Sequence, residues 1–526
     1  MSEKKYYQVI LPLKLEWEPW YCSDTDLPAG RRVRVTFSRK EYVGVIHHIS
    51  SDPGIPLSRI MTINGVPEQM ADISPEEIRL WEFIADYYLC TIGEVYREAY
   101  PALKIKSEEI PQHEIDRLKD KLGKIEAELV SRQGRKRAKA DVTQRLADER
   151  QTILDRLSRL KERSTEPVHE CRRQAEKPVL LWSRNRTESY RDAIENTDGD
   201  VLILSPDHIS SDALERTLAI PSSIRMDGRQ TASRRRMVSD LLRQGGEKHI
   251  VFGTRMALFL PFRNLGLVIV DEEQDSLYKQ EEPAPRYNAR DCALILSRIH
   301  KADIILGSSS PSLDSIYNCR SGKFRLIEAD AGRRPGITVI DVGAERRKRG
   351  MQGCLSYKLI EEIRRWNGSV TFIRAWEKDE ELRPLADSLF PGRSISIMTY
   401  RQARETDFQG ILVAILQADA LVRQDDFRAD EKGMQMVSTL SGRCGKLVIQ
   451  TTAPRRFDGS LSIDELLEER RQFGYPPFTR MVETHLRGHD EPLKVYFLKK
   501  DPALAAEKEK IRREAGPNVI IDVDPA

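Results

Sequence analysis

Cysteine is scarce and scattered in this chain. Its seven cysteines stand at Cys22, Cys90, Cys171, Cys292, Cys319, Cys354 and Cys444, and no two lie at metal-ligand spacing. Thiols so isolated build neither a zinc ribbon nor a disulfide framework, and no zinc is expected. Long apolar runs are missing too. The longest are of strand length, short of the ~20 residues a membrane-spanning helix needs. The opening Met-Ser-Glu-Lys-Lys-Tyr-Tyr lacks the apolar core of a secretion signal. These absences lead us to expect a cytoplasmic chain with no membrane partner. A charge bias is absent as well: 85 basic against 82 acidic residues leave a net +3. The total therefore does not announce a nucleic-acid binder.

What is present is length and pattern. The 526 residues suffice for roughly three or four domains at ~150 residues each. Basic residues gather at Arg31–Arg34, Arg132–Lys139, Arg234–Arg236 and Arg346–Arg349, which keeps nucleic acid open as a partner. Near the front, Tyr7–Leu11, Arg32–Phe37 and Tyr42–Ile46 read as strands, the second alternating so that one face is wet and basic. Ser74-Pro-Glu-Glu reads as a helix start, with a Ser cap, Pro at the first position and acids in the first turn. Charged residues with Leu and Ile at helical spacing over 112–163 predict a helical hairpin around a basic turn.

From about 177 onward, short β-branched runs alternate with helical stretches, the pattern of parallel sheets with crossover helices. Leu265-Gly-Leu-Val-Ile-Val-Asp-Glu-Glu-Gln274 is the most informative run. It reads as a buried strand ending abruptly in three acids. Acids at the carboxyl end of such a strand sit where open α/β sheets bind ligands. In nucleoside triphosphatases this is the Walker B pattern, in which the first acid helps hold Mg²⁺ and the second orients or deprotonates water. Asp271 and Glu272 are the candidates here. The expected fold class is α/β, with two RecA-like parallel-sheet lobes. A small β-rich N-terminal domain and a charged helical hairpin precede them, and a small α+β domain follows. The expected boundaries are 1–105, 106–176, 177–340, 341–455 and 456–526.

Several motifs carry a family resemblance. Asp271-Glu-Glu-Gln-Asp-Ser-Leu-Tyr-Lys-Gln280 with Pro285-Arg-Tyr-Asn-Ala-Arg-Asp291 resembles the Walker B acids and aromatic-rich loop of the primosomal protein N′ (replication-restart helicase PriA) family. Val251–Phe262, Leu306-Gly-Ser-Ser-Ser-Pro-Ser312 and Glu468-Glu-Arg-Arg-Gln-Phe-Gly-Tyr-Pro-Pro-Phe478 resemble other segments of it. Val9–Leu13, Leu27–Val35 and Ala85–Glu94 resemble its 3′-end-binding domain. The resemblance implies branched or 3′-ended DNA and single-stranded DNA as partners, together with replication-restart proteins. It implies Mg-ATP as cofactor if the motor is active, with Asp271, Thr187 and Lys446 toward nucleotide and Arg443 as a second-lobe arginine. DNA contacts are expected from Arg32, Arg34, Arg39 and Lys40 on the front domain, and from an aromatic–acid pocket at Trp17, Glu18 and Trp20. In the aromatic-rich loop, Tyr278, Lys279, Arg286 and Tyr287 are the candidates for contact with single strands.

The departures from the family are as specific as the matches. Where a glycine-rich phosphate loop ending in Lys-Thr belongs, the chain reads Leu180-Leu-Trp-Ser-Arg-Asn-Arg-Thr187. Without glycines the backbone cannot easily wrap phosphates, and the phosphate-neutralising lysine is gone; Arg184 or Arg186 would have to supply that charge. The second-lobe arginine motif has become Thr439-Leu-Ser-Gly-Arg-Cys-Gly-Lys446, and lysine lacks the planar fork of the arginine it replaces. Gln274 stands where the family has His, and the cysteine-rich zinc module is missing. The expectation is a DNA-binding replication-restart protein whose ATPase and helicase motor is lost or severely weakened, with Asp271 and Glu272 as remnants. The alternatives are an ATP-dependent 3′→5′ DNA helicase with an atypical phosphate site, and a non-catalytic protein scaffold.

Overall fold

The computed structural model describes residues 5–67, 70–101, 176–329, 336–375, 381–403, 406, 408–422, 426–489, 491–516 and 518–525. The expected helical hairpin lies outside these residues.

The N-terminal domain is a five-stranded sheet of β1 (Tyr6–Ile10), β2 (Trp20–Cys22), β3 (Arg32–Phe37), β4 (Lys40–Ser50) and β5 (Met61–Thr62), in the order β3-β4-β1-β2-β5. Ser38 and Arg39, both with positive φ, form the two-residue turn between β3 and β4, because only a turn of that hand matches the strands' own twist. Helix α1 (Pro75–Tyr87) starts with the expected Ser74 cap, and the cap is reciprocal, Ser74 Oγ accepting from Glu77 N and Glu77 accepting from Ser74 N. Helix α2 (Ile92–Ala99) repeats that cap with Thr91 and Glu94.

Seven parallel strands form the first lobe: β6 (Val179–Trp182), β7 (Asp200–Leu204), β8 (Ile224–Met226), β9 (Ile250–Gly253), β10 (Leu265–Asp271), β11 (Asp303–Ser308) and β12 (Arg325–Glu328). Their order is β12-β6-β11-β10-β7-β9-β8, which puts β10 at the middle of the sheet. Burial on both faces explains its unbroken apolar run.

The second lobe pairs β13 (Ile337–Asp341), β16 (Val370–Arg374), β17 (Ile395–Thr399), β18 (Phe408–Ile415) and β19 (Cys444–Thr451) in the order β13-β19-β18-β16-β17, all parallel. The short pair β14 (Met351–Gln352) and β15 (Leu355–Ser356) lies between them in sequence. Strand β13 corrects the expected lobe boundary at 340, since it pairs with β19 across the second sheet. Three antiparallel strands end the chain: β20 (Thr479–Leu486), β21 (Pro492–Lys499) and β22 (Val519–Val523).

One apolar core runs through α1 and α2, the first lobe and the C-terminal domain, joining Trp81, Val268, Leu296, Val482 and Val523. The second lobe has separate cores on the two faces of its sheet. The C-terminal strands are therefore fixed to the first lobe rather than to the second.

Candidate functional site

The three acids after β10 are sent in different directions by one turn. Glu272 adopts φ +51°, a left-handed conformation that a non-glycine residue holds only when its surroundings fix it. Asp275 N donates to Glu272 O at 2.9 Å and Glu273 N donates to Gly307 O at 3.1 Å, closing the turn against β11. Asp271 and Glu272 then face the end of β6. Glu273 faces the other way and caps the helix at Leu313–Arg320, accepting from Ser312 N at 2.6 Å, Ser312 Oγ at 3.0 Å and Ser315 Oγ at 2.9 Å. Burial pushes the Glu273 carboxyl up from its ordinary range.

Facing Asp271 and Glu272 is the guanidinium of Arg186. Its Nε donates to Asp271 Oδ1 at 2.8 Å, one terminal nitrogen donates to Glu272 Oε1 at 2.5 Å, and the other donates to Ser183 O at 2.7 Å. Arg186 immediately precedes α3 (Thr187–Glu195), so the loop after β6 delivers it to the ends of β10. Tyr190, one turn into α3 and fully buried, donates from its hydroxyl to Asp271 Oδ1 at 2.8 Å. Gly307 makes room for it: a Cβ there would lie 1.7 Å from Tyr190 Oη. Gln274 completes the cluster, donating to Glu272 Oε2 at 2.7 Å and accepting from Ser308 Oγ at 2.5 Å.

The electrostatics follow from this packing. Burial pulls the Arg186 guanidinium down, and Asp271 and Glu272 outweigh it, holding the group well above its ordinary value. Burial pushes Glu272 up, and Arg186, Gln274 and Arg443 more than offset it, so its carboxyl stays below the usual range. The Tyr190 phenol is raised by burial and then by Asp271.

Whether Mg-ATP fits this end of the sheet is decided by what fills it. The guanidinium lies against both carboxylates where a metal ion would have to be held. The Ser183 amide, the first after β6, is spent on Ser308 O at 2.9 Å. The residues present do not fit Mg-ATP in this arrangement. Thr187 opens α3 beside Arg186, and Arg443 follows the helix at Ala429–Ser441 near enough to lower Glu272. Lys446 is corrected: it sits at the start of β19 and donates to Glu362, which satisfies its charge within the second lobe. A cleft of about 580 Å³ separates the lobes here, lined by Glu272, Gln274, Arg290, Thr439 and Arg443 among others.

The aromatic-rich loop is corrected also. Tyr278 and Tyr287 are buried, at 1% and 0% exposure. Tyr278 donates to Asp271 O at 2.6 Å and Leu204 O at 2.9 Å, tying together the ends of β10 and β7. Lys279 is buried as well, with Nζ donating to Arg286 O at 2.7 Å and Val523 O at 2.6 Å and pairing with Asp522 at 2.7 Å. Arg286 pairs with Glu282 at 3.0 Å. This loop fastens β22 to the first lobe; it does not offer those four side chains to a single strand.

On the N-terminal domain, Trp17, Glu18 and Trp20 come together. They line a cavity of about 560 Å³ with Gln8, Phe37 and Arg59. Trp17 is 60% exposed and meets Phe37 edge to face with centroids 6.1 Å apart. Arg39 and Lys40 are exposed at the β3–β4 turn. Arg32 is corrected: it is buried, its guanidinium 4.2 Å over the Tyr100 ring. Arg34 is half-buried and its backbone pairs with Gly65.

Sequence reading missed Tyr190, Glu273 and the bidentate placement of Arg186. Only Arg186 had a signal, as a cation standing where a phosphate loop would carry one. No described helix is long and apolar enough to cross a membrane.

The model of the 3′DNA-binding domain (3′BD) of PriA matches residues 8–101. The replication restart protein PriA of Rickettsia prowazekii is 26% identical over 380 residues, covering 68% of this chain and 51% of that protein. That of Chlamydia pneumoniae is 42% identical over 122 residues, covering 22% and 16%, and that of Haemophilus influenzae is 34% identical over 189 residues, covering 34% and 25%. The chain spans about half the length of the longest-matching curated relatives. Among solved structures, the DUF1998 helicase MrfA bound to DNA aligns with a TM-score of 0.34 at 12% identity, over 66% of this chain and 60% of that one. The chain is thus similar to the 3′DNA-binding domain of PriA over residues 8–101, and to replication restart protein PriA over about two thirds of its length.

Proposed function

We propose that this chain binds the 3′ ends of branched DNA through its N-terminal domain and serves replication restart without an ATP-driven motor. The observation that carries the reading is a contrast between two sites. The aromatic–acid cavity at Trp17, Glu18 and Trp20 is open, while the Walker B end of β10 is filled by Arg186. Trp17 offers an exposed face for a terminal base to stack on, and Glu18 offers a carboxylate that can accept a hydrogen bond from a 3′-hydroxyl. Arg39 and Lys40 supply positive charge for backbone phosphates at the turn beside Phe37. Magnitude supports the loss of the motor. Removing one preorganised donor from an active site costs roughly 10²–10³ in rate, and here the phosphate loop and its lysine are gone and a guanidinium occupies the acids.

A second reading, an ATP-dependent DNA helicase, is favoured by the open cleft between the lobes and by Arg443 acting on Glu272 across it. DNA-stimulated ATP hydrolysis decides between them. We expect the wild-type rate to equal that of Asp271→Asn; a clear excess would establish the second reading and end the first. Fluorescence anisotropy with 3′-tailed and 5′-tailed duplexes tests the DNA half, and equal affinity for the two would count against it.

A further inference from the structure

Strand β4 carries one residue more than β1 where the two pair. Tyr7 faces Ile49 and Val9 faces Ile46, so His47 and His48 together stand opposite the single Gln8. A regular strand would send neighbouring side chains to opposite faces. A bulge re-aims them, and here the two imidazoles stack, centroids 3.8 Å apart and planes inclined by 30°. Helix α1 brings a carboxylate to the same place, with Glu82 Oε1 3.1 Å from His47 Nε2. One ligand atom from each of His47, His48 and Glu82 lies within 4.8 Å of the other two. On the far side of the His47 ring, both Glu18 oxygens lie 2.9 Å from Nδ1.

We propose that His47, His48 and Glu82 form a binding site for a divalent transition-metal ion of the Zn²⁺ class, with Glu18 orienting His47 from behind. Two imidazoles and a carboxylate are a donor set that suits Zn²⁺, with water as the fourth ligand. Ligands at ~2.0–2.2 Å from a tetrahedral ion stand about 3.3 Å apart. The Nε2–Oε1 separation already matches that spacing, and the two edges to His48, within 4.8 Å, close by rotating His48 and Glu82, both exposed. Glu18 supplies what a metal-ligating histidine usually has, a carboxylate on its other nitrogen. It keeps the proton on Nδ1 and turns the Nε2 lone pair toward the ion. The absence of paired cysteines does not bear on this site, because no thiolate takes part. Glu18 also lines the DNA-end cavity, so the ion would sit one residue behind that cavity's carboxylate.

The test uses the full chain stripped with EDTA and titrated with Zn²⁺ alone by calorimetry, and with Co²⁺ for its visible spectrum. We expect one ion per chain and a nitrogen–oxygen Co²⁺ spectrum without the intense near-ultraviolet band of thiolate ligation. His48→Ala and Glu82→Gln should each weaken binding at least about tenfold, and Glu18→Gln by about 10- to 100-fold, the range for a partner behind a ligand. His489→Ala, an exposed histidine of the C-terminal domain, should bind as wild type. Circular dichroism checks that the variants are folded, and the exposed position of His48 makes its truncation the least disruptive of them. Binding that survives His48→Ala unchanged, a thiolate band, or no saturable binding in wild type would each overturn the site.

Discussion

Replacing Arg186 with Ala should expose what the guanidinium contributes. Asp271 and Glu272 would be left at the end of a central strand without the cation that bonds both of them, both carboxylates being less than one-fifth exposed. Removing one partner of a buried ion pair costs about 3–5 kcal/mol, most of it the cost of the charge left behind. The loss is local to the β6, β10 and β11 ends, so hydrogen exchange of the full chain is the right assay. Amides of 265–274 should exchange about 10²- to 10⁴-fold faster, which is that free energy expressed as an opening equilibrium. The pH dependence fixes the cause. In wild type the Glu272 carboxyl is held below its ordinary range, so its stabilisation is present above the unfolded value of ~4.3 and is lost as pH falls through the folded value. In the variant, burial acts without Arg186 and raises the carboxyl, so stability falls as pH rises above ~4.3. The gap between the two proteins should therefore be small in acid and widest at neutral pH. Adding Glu272→Gln to the variant should recover part of the protection by removing one orphaned charge. Protection of 265–274 within threefold of wild type at pH 7 would refute the reasoning.

Trp17→Ala should weaken binding to 3′-tailed duplex by about 5- to 150-fold, the worth of one base–aromatic stack at ~1–3 kcal/mol, and leave 5′-tailed duplex unchanged in anisotropy titrations. Lys279→Met should leave the partly buried Asp522 without its cation and release β22, so that limited proteolysis cuts near 519–523 while DNA affinity stays at the wild-type value. Gly307→Ala should lower the melting temperature sharply, because its Cβ meets Tyr190 Oη; overpacking costs about 1–3 kcal/mol and the charged hydrogen bond to Asp271 a further ~1.5–3 kcal/mol. Tyr190→Phe in the same chain should recover some of that loss, since it removes the clashing oxygen.

Local signals were legible and pairing signals were not. The run from Leu265 predicts β10 because a strand buried on both faces needs no alternation, and Ser74-Pro-Glu-Glu predicts α1 because its cap is complete within four residues. Arg32–Phe37 predicts β3, yet its alternation points Arg32 outward and the structure buries it against Tyr100, the residue that follows α2 far along the chain. Tyr278 and Tyr287 sit among prolines and charges, which reads as surface, and their burial comes from the ends of β7 and β10 around Tyr278 and from Arg255 and Phe259 against Tyr287. The bulge that aligns His47 with His48 is a property of two strands in register and leaves no mark on either alone.

Arg186 also explains how Asp271 and Glu272 can stand side by side at the end of a buried strand. Two carboxylates at the end of a buried strand are unfavourable unless a cation faces them. In a working nucleotide site, that role falls to the metal and the loop lysine. Here the residue before α3 takes it with a planar fork that meets both acids at once, while Tyr190 and Gln274 satisfy further oxygens. Once this cluster is closed, losing Asp271, Glu272 or Arg186 singly leaves charge or donors unmatched in the core of the first lobe. The three are bound to one another by folding energetics whether or not ATP is ever hydrolysed. A complete Asp-Glu pair after a buried strand is thus a sign of this fold, and the group facing the pair decides whether it can be a sign of catalysis.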